Sequence, residues 1–261
     1  MSASSICYSS LPIEQACERI AALGFDRIDI WAPFGHCRHL EDVKKRLGVD
    51  GLKTLLKKHK LGISAFTFYG HEFNEYAELL GQVGGGVGIR ESVYEVVKPK
   101  ELTSKMKVFI ESLKPLVELA EKNKSFLAIE NHGSALLSSP DSFKAFIDIN
   151  TSKHLGIALA PYHLQVIKAS VPEVIRICGK QLFFIYAWQH ADGMGQLPGY
   201  GPADFTPWIK ALADIKYRHF VNPFMHGEQK PEVMDEAFKK SRAYLLDCYA
   251  NIVKPGSVIK V

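Results

Sequence analysis

The sequence has little of what marks membrane, secreted or nucleic-acid-binding proteins. Its 261 residues contain no apolar run near the roughly 18 residues that a membrane-spanning helix requires. The 32 Lys and Arg against 28 Asp and Glu leave a formal charge of +4, too small to indicate a nucleic-acid partner. Residues 1–10 carry no secretory signal, and five cysteines without a CxxC pair favour reduced thiols. We therefore expect a cytoplasmic protein that binds neither membranes nor nucleic acid.

The sequence does contain enough apolar material for a large core. Hydrophobic residues make up 47% of the chain and charged residues 23%. Length alone allows one large domain or two of average size, because α/β barrels often reach about 250 residues as one domain. No linker-like segment divides the chain, so we expect residues 1–261 to form a single domain.

Short apolar runs rich in β-branched and aromatic residues alternate with segments of helical periodicity along the whole chain. The predicted strands lie at residues 5–8, 27–31, 62–68, 86–90, 126–131, 155–160, 182–189 and 219–224. The predicted helices lie at residues 12–23, 50–59, 101–123 with a kink at Pro115, 139–149, 172–178, 202–215 and 231–252. This alternation predicts a (β/α)8 TIM barrel. A doubly wound sheet is the alternative, but it usually has a Gly-rich phosphate loop after its first strand, and residues 8–12 are not one.

In a barrel, chemistry takes place at the carboxyl ends of the strands. Glu130 and His132 end the fifth predicted strand, and a carboxylate buried there is costly unless a partner or metal compensates it. One interpretation is functional; the other is a structural salt bridge between Glu130 and Arg90 on the neighbouring strand. His71 and Glu72 follow the third strand, and they belong to the same set of candidates.

The remaining candidates follow strands six, seven and eight. His163 follows strand six, where a histidine beside Tyr and Pro is often an ordinary loop residue. Strand seven ends in Gln189 and His190, and its alternation predicts that residues 185, 187 and 189 face the barrel interior. Strand eight carries Asn222, with His226 beyond its end. Histidines at so many strand ends suggest a metal or proton-transfer site, although their spacing is not a metal signature.

Four segments together resemble the xylose isomerase-like TIM barrels. They are residues 24–31 (GFDRIDIW), 128–133 (AIENHG), 155–164 (LGIALAPYHL) and 198–205 (PGYGPADF). The family includes sugar and sugar-phosphate isomerases and epimerases, and also the endonuclease IV class of DNA repair enzymes. The endonuclease interpretation is disfavoured because the sequence shows neither a multi-metal cluster nor a basic face.

The resemblance implies one divalent metal, held by Glu, Asp, His and Glu on strands five to eight. Only the first ligand is retained, as Glu130, because the later positions carry Ala160, Gln189 or its neighbour His190, and Asn222. Either His163, His190 and His226 rebuild a site with Glu130 for Mn, Zn, Co or Mg, or the metal has been lost.

The resemblance also implies a small-molecule sugar or sugar derivative as partner, and proton transfer next to its carbonyl as the reaction. Glu130 is expected to act as metal ligand or base and His190 as ligand or acid. Substrate contacts are expected from Trp31, His163, Gln189, Asn222 and Arg90. The alternatives are a non-catalytic or metal-free carbohydrate-binding descendant, or a lyase acting on oxidised sugars. Whether the protein forms a homo-oligomer is left open.

Overall fold

The computed structural model describes residues 1–69 and 73–252, and it confirms the predicted TIM barrel. Its strands are β1 (Ser2–Ser4), β2 (Arg27–Trp31), β3 (Gly62–Phe68), β4 (Val87–Glu91), β5 (Phe126–Glu130), β6 (Leu155–Leu159), β7 (Leu182–Ala187) and β8 (Val221–Pro223). All seven ladders, from β1–β2 to β7–β8, are parallel and follow the order of the chain. The Asn222 amide of β8 donates to the Ser4 hydroxyl of β1 over 2.7 Å, which brings the first and last strands together.

The helices are α1 (Ile13–Ala22), α2 (His39–Asp42), α3 (Gly48–His59), α4 (Ala77–Gln82), α5 (Pro99–Ser112), α6 (Lys114–Lys122), α7 (Pro140–Ile149), α8 (Pro161–Val166), α9 (Val171–Cys178), α10 (Thr206–Asp214) and α11 (Pro231–Ala250). A π-helical turn, Val43–Leu47, joins α2 to α3. The predicted 101–123 helix is two helices, because Pro115 has no N–H to donate and begins the first turn of α6.

The first strand differs from its prediction. Residues 5–8 form a 3₁₀ turn, and the strand lies just before them at Ser2–Ser4. The Ser5 hydroxyl accepts a hydrogen bond from the Trp31 backbone N–H, which holds this turn against the end of β2. The apolar residues of the 5–8 segment suggested a strand, but Cys7 and Tyr8 are buried as part of the 3₁₀ turn.

A hydrogen-bonded group of polar side chains crosses the barrel interior below its carboxyl end. The Asp29 carboxylate of β2 accepts hydrogen bonds from the Ser4 hydroxyl, the Thr67 hydroxyl and the Trp31 indole N–H, at 2.6, 2.8 and 2.7 Å. Thr67 in turn lies 3.2 Å from the hydroxyl of Tyr186 on β7. Burial raises the pKa of Asp29 to about 7, although these three hydrogen bonds favour the ionised form. The interior is therefore polar under the mouth and not only apolar.

The sequence predicted reduced cysteines and no membrane-spanning helix. All five cysteines are buried free thiols, as the absence of a disulfide pattern predicted. Within residues 1–69 and 73–252, no helix combines the length and the apolar character that crossing a bilayer would need.

Candidate functional site

Glu130 ends β5 inside the barrel, and only 2% of its surface is exposed. Its carboxyl group accepts a hydrogen bond from the Tyr69 hydroxyl, and Oε2 has no hydrogen-bond partner among the described residues. Burial raises the pKa of Glu130 to about 8; the Tyr69 bond opposes this, and the charges of Asp29 and Glu91 add to it. The carboxyl group is thus held by a tyrosine and not by the alternative salt bridge to Arg90. A buried carboxyl oxygen without a partner is a feature of functional sites.

Trp31 fixes the position of Tyr69. Its indole stacks on Tyr69 on one side, with ring centroids 5.4 Å apart, and on Phe224 on the other, at 5.5 Å. Its N–H donates to Asp29, and the side chain is 1% exposed. Because both ring faces are covered, Trp31 has no face on which a sugar could stack. Trp31 therefore supports the Tyr69–Glu130 pair by packing against the Tyr69 ring.

A cluster of histidines lies around Trp188, at the carboxyl end of the barrel where β5 ends in Glu130. The rings of His132 and His163 are 4.0 Å apart, and His163 and His226 lie 5.3 and 4.9 Å from Trp188. Burial, helped by His132 and His226, lowers the pKa of His163 to about 3. Its Nε2 is buried without a hydrogen-bond partner in the described part of the chain. His163 therefore provides an uncharged imidazole with a free ring nitrogen.

His190 lies at the rim of this cluster. His190 is exposed, and its ring packs edge-on against Tyr162, with ring centroids 5.0 Å apart. Its backbone N–H donates to the Gln165 side chain. The structure thus places His190 farther out than His163.

Gln189 is used to hold a loop. Its amide nitrogen donates to the Leu197 carbonyl at 2.9 Å, and its amide oxygen accepts from the Ala203 N–H at 2.7 Å. Tyr186, not its neighbours, points into the barrel, because its hydroxyl reaches Thr67 on β3. The expectation that residues 185, 187 and 189 line the interior was therefore wrong, because alternation along β7 places Ile185 and Ala187 on the face opposite Tyr186.

The ligand positions that the resemblance implies do not fit a resident divalent metal. Ala160 offers no side-chain donor, the amide of Gln189 is engaged at both ends, and the amide nitrogen of Asn222 is bound to Ser4. Among residues 1–69 and 73–252 no three His, Cys, Asp or Glu side chains are grouped so that they could hold a metal ion. His71 and Glu72 lie outside the described residues.

The remaining predicted residues lie near the same end of the barrel. Arg90 is half-buried on β4, in register with Ile129 of β5, and its Nε has no partner among described residues. Asn222 is fully buried, and its Oδ1 likewise lacks a hydrogen-bond partner in the described structure. Sequence reasoning missed Tyr69, which directly follows β3. Its place directly after the end of a predicted strand is the signal that could have identified it.

Comparison with solved structures finds the same fold in sugar-converting enzymes. The 3-keto-D-glucoside 4-epimerase YcjR from E. coli is 18% identical with a TM-score of 0.69, over 90% of this chain and 94% of its own. A D-psicose 3-epimerase solved in the presence of D-fructose is 16% identical with a TM-score of 0.74, over 95% and 98%. The IolI protein, solved with a zinc atom, is 15% identical with a TM-score of 0.75, over 97% and 99%.

At these identities the similarity shows a shared fold. Comparison with the curated protein sequences finds no match. A model of the xylose isomerase-like TIM barrel family matches residues 17–245, and the chain therefore belongs to that family.

Proposed function

We propose that the protein binds a sugar or sugar derivative at the barrel mouth and transfers a proton next to its carbonyl group, as an isomerase or epimerase. The observation that carries this proposal is the buried carboxyl group of Glu130, whose Oε2 has no hydrogen-bond partner among the described residues. The sugar-converting structural neighbours support the substrate class.

Glu130 is the base. A general base works best when its pKa lies near the working pH, and burial raises the pKa of Glu130 to about 8. Its carboxylate takes the proton from the carbon beside the carbonyl and, as the acid, returns it. Return to the neighbouring carbon, with the hydroxyl proton passing to the former carbonyl oxygen, is isomerisation. Epimerisation requires that a second proton donor, such as a water molecule at the mouth of the barrel, reprotonates the same carbon from the opposite face. Since only the ionised form accepts a proton, the rate should rise with pH up to about 8.

His163 polarises the substrate carbonyl. The pKa of His163 is lowered to about 3, so the imidazole is neutral throughout the working range. A neutral imidazole can donate one hydrogen bond to the oxygen on which negative charge develops, and a buried donor is effective because water does not compete with it. In this proposal His163 takes the role that the sequence suggested for His190, because His163 is more deeply buried.

No step in this mechanism uses a metal ion, because the described residues do not form a ligand set. The neighbour IolI was solved with zinc, whereas here Ala160 carries only a methyl group, the amide of Gln189 is engaged at both ends, and Asn222 offers one neutral amide oxygen in place of a carboxylate. The buried free cysteines are in keeping with a cytoplasmic location, which we retain as part of the proposal.

The test is incorporation of deuterium from D₂O into D-fructose and D-psicose, followed by NMR. We expect exchange at the carbon beside the carbonyl, and a loss of at least a hundredfold in Glu130→Gln, as removal of a general base gives. The control Glu118→Gln makes the same chemical change at an exposed position on α6 and should exchange like the wild type. Exchange by Glu130→Gln at the wild-type rate would contradict the assignment.

The second candidate is a carbohydrate-binding protein without catalysis. It is favoured by the use of Gln189 to hold the 197–203 loop, since a side chain committed to structure is not available to a substrate. Calorimetric binding of a sugar without any exchange by the wild type would support this candidate over the enzyme. Product analysis separates the remaining alternative, because a lyase would release a group and form an unsaturated sugar.

A further inference from the structure

A cavity of about 350 Å³ lies beside the candidate site, outside the strands of the barrel. Its walls come from the segment between β4 and α5, the segment between β5 and α7, and the helix α8. Val96, Leu102, Leu136 and Ile167 provide much of the apolar lining. This volume and this mixture of apolar walls with a few polar groups are typical of small-molecule sites.

The rim of the cavity has an unusual amount of exposed apolar surface. Of the eight large hydrophobic residues that are exposed in the described part of the chain, Val96, Val166 and Ile167 lie in the cavity wall. Two more, Val93 and Tyr94, lie three and two residues before Val96. Val96 is the most exposed of these at 82%. A cluster of this kind on a folded surface indicates a contact site, whereas single exposed apolar residues need no explanation.

His163 connects this cavity to the candidate site. Its ring lines the cavity and also lies 4.0 Å from His132 and 5.3 Å from Trp188. Gly133 forms part of the same wall, and a methyl group built there would meet only His163 Nδ1, at 3.9 Å. The backbone at Gly133 therefore leaves space beside the His163 ring on the side of the cavity.

The charges of the lining indicate which kind of ligand fits. Among the described residues that line the cavity, Asp141 is the one charged side chain, and no Lys or Arg is present. An anionic substituent such as a phosphate would meet a negative charge and gain no cation. A neutral apolar group would instead cover Val96 and Ile167, which are otherwise exposed to water.

We propose that this cavity binds an apolar group attached to the substrate, so that the substrate is a keto-glycoside, with a carbonyl group on its sugar ring and an aryl or short alkyl substituent at its anomeric carbon, and not a sugar phosphate. This inference rests on the proposed function, because the sugar ring itself is held at His163 and Glu130. The apolar substituent supplies binding energy beside the reacting part, and the cavity selects glycosides over free sugars.

The test compares the dissociation constants of methyl and phenyl 3-keto-β-D-glucosides by calorimetry. We expect the phenyl compound to bind at least ten times more tightly to the wild type. The ratio of the two constants should fall to near one in Ile167→Asp, which places a charge at a half-exposed position of the lining. The control Val108→Asp changes a similarly exposed apolar residue on α5, and the ratio should stay at ten or more.

Equal constants for the two glycosides in the wild type would overturn the inference and leave the proposed function standing. Tight binding of the phenyl compound without deuterium exchange in the sugar assay would support the apolar cavity and contradict the proposed catalytic function. Binding of neither compound would overturn the inference, and the exchange assay with D-fructose and D-psicose would still decide the proposed function. If Ile167→Asp instead converts a dimer to a monomer in sedimentation and the ratio stays high, the apolar rim is an interface between copies, and the inference is wrong.

Discussion

Replacing Glu130 by glutamine should make the protein progressively more stable than the wild type as the pH rises. In the folded state the pKa of Glu130 is raised from 4.5 to about 8 by burial. Below about pH 4.5 the carboxyl group is protonated in both the folded and the unfolded chain. Its ionisation therefore does not lower the free energy of unfolding in that range. Between 4.5 and 8 only the unfolded chain has released the proton, and the wild type loses stability by about 1.4 kcal/mol per pH unit.

The total difference approaches about 5 kcal/mol at pH 8, an upper value for a carboxyl group that stays dry. The glutamine side chain of the variant cannot ionise, and its amide oxygen can still accept the hydrogen bond from Tyr69. Urea unfolding of both proteins at pH 5, 6, 7 and 8 gives the free-energy difference directly, with Glu118→Gln as a surface control. If the difference in unfolding free energy between Glu130→Gln and the wild type does not change with pH across this range, the carboxyl group is not buried in its protonated form and the reasoning is refuted.

Three further predictions test the packing of the barrel. Gly156→Ala should lower stability by about 1–3 kcal/mol, because its methyl group would lie 2.5 Å from the Gln181 carbonyl oxygen, whereas Gly133→Ala should leave the melting temperature nearly unchanged. Trp31→Phe should cost about 1–3 kcal/mol in thermal or urea unfolding, because the indole hydrogen bond to Asp29 is lost inside the barrel. A thiol reagent should label none of the five buried cysteines quickly in the native protein and all five after denaturation; rapid native labelling would contradict their burial.

The fold could be predicted from the sequence because most strands are apolar runs between helices with clear ends. The strands Arg27–Trp31 and Gly62–Phe68 have the predicted bounds. The prediction failed where the side chains gave no signal of the backbone conformation. Ser2–Ser4 is a strand of small polar and alanine residues that pairs with β2, and nothing in its own composition marks it as one.

The site was only partly predictable. Glu130 stands out in the sequence as an acid at the end of an apolar strand, and the structure buries it there. The role of Gln189 could not be foreseen, because its partners Leu197 and Ala203 offer only backbone atoms, which every residue has. Trp31 was expected to contact the substrate, yet its ring faces are covered by Tyr69 and Phe224, which directly follow β3 and β8. Such contacts are set by the closure of the barrel.

In the proposed mechanism side chains of this chain move the proton, with Glu130 as the base. The decisive experiment measures the rate of deuterium exchange into a sugar before and after exhaustive chelation of the wild type. We expect the same rate in both samples, and loss of exchange in Glu130→Gln. Exchange that disappears on chelation and returns with Mn, Zn, Co or Mg would contradict this mechanism.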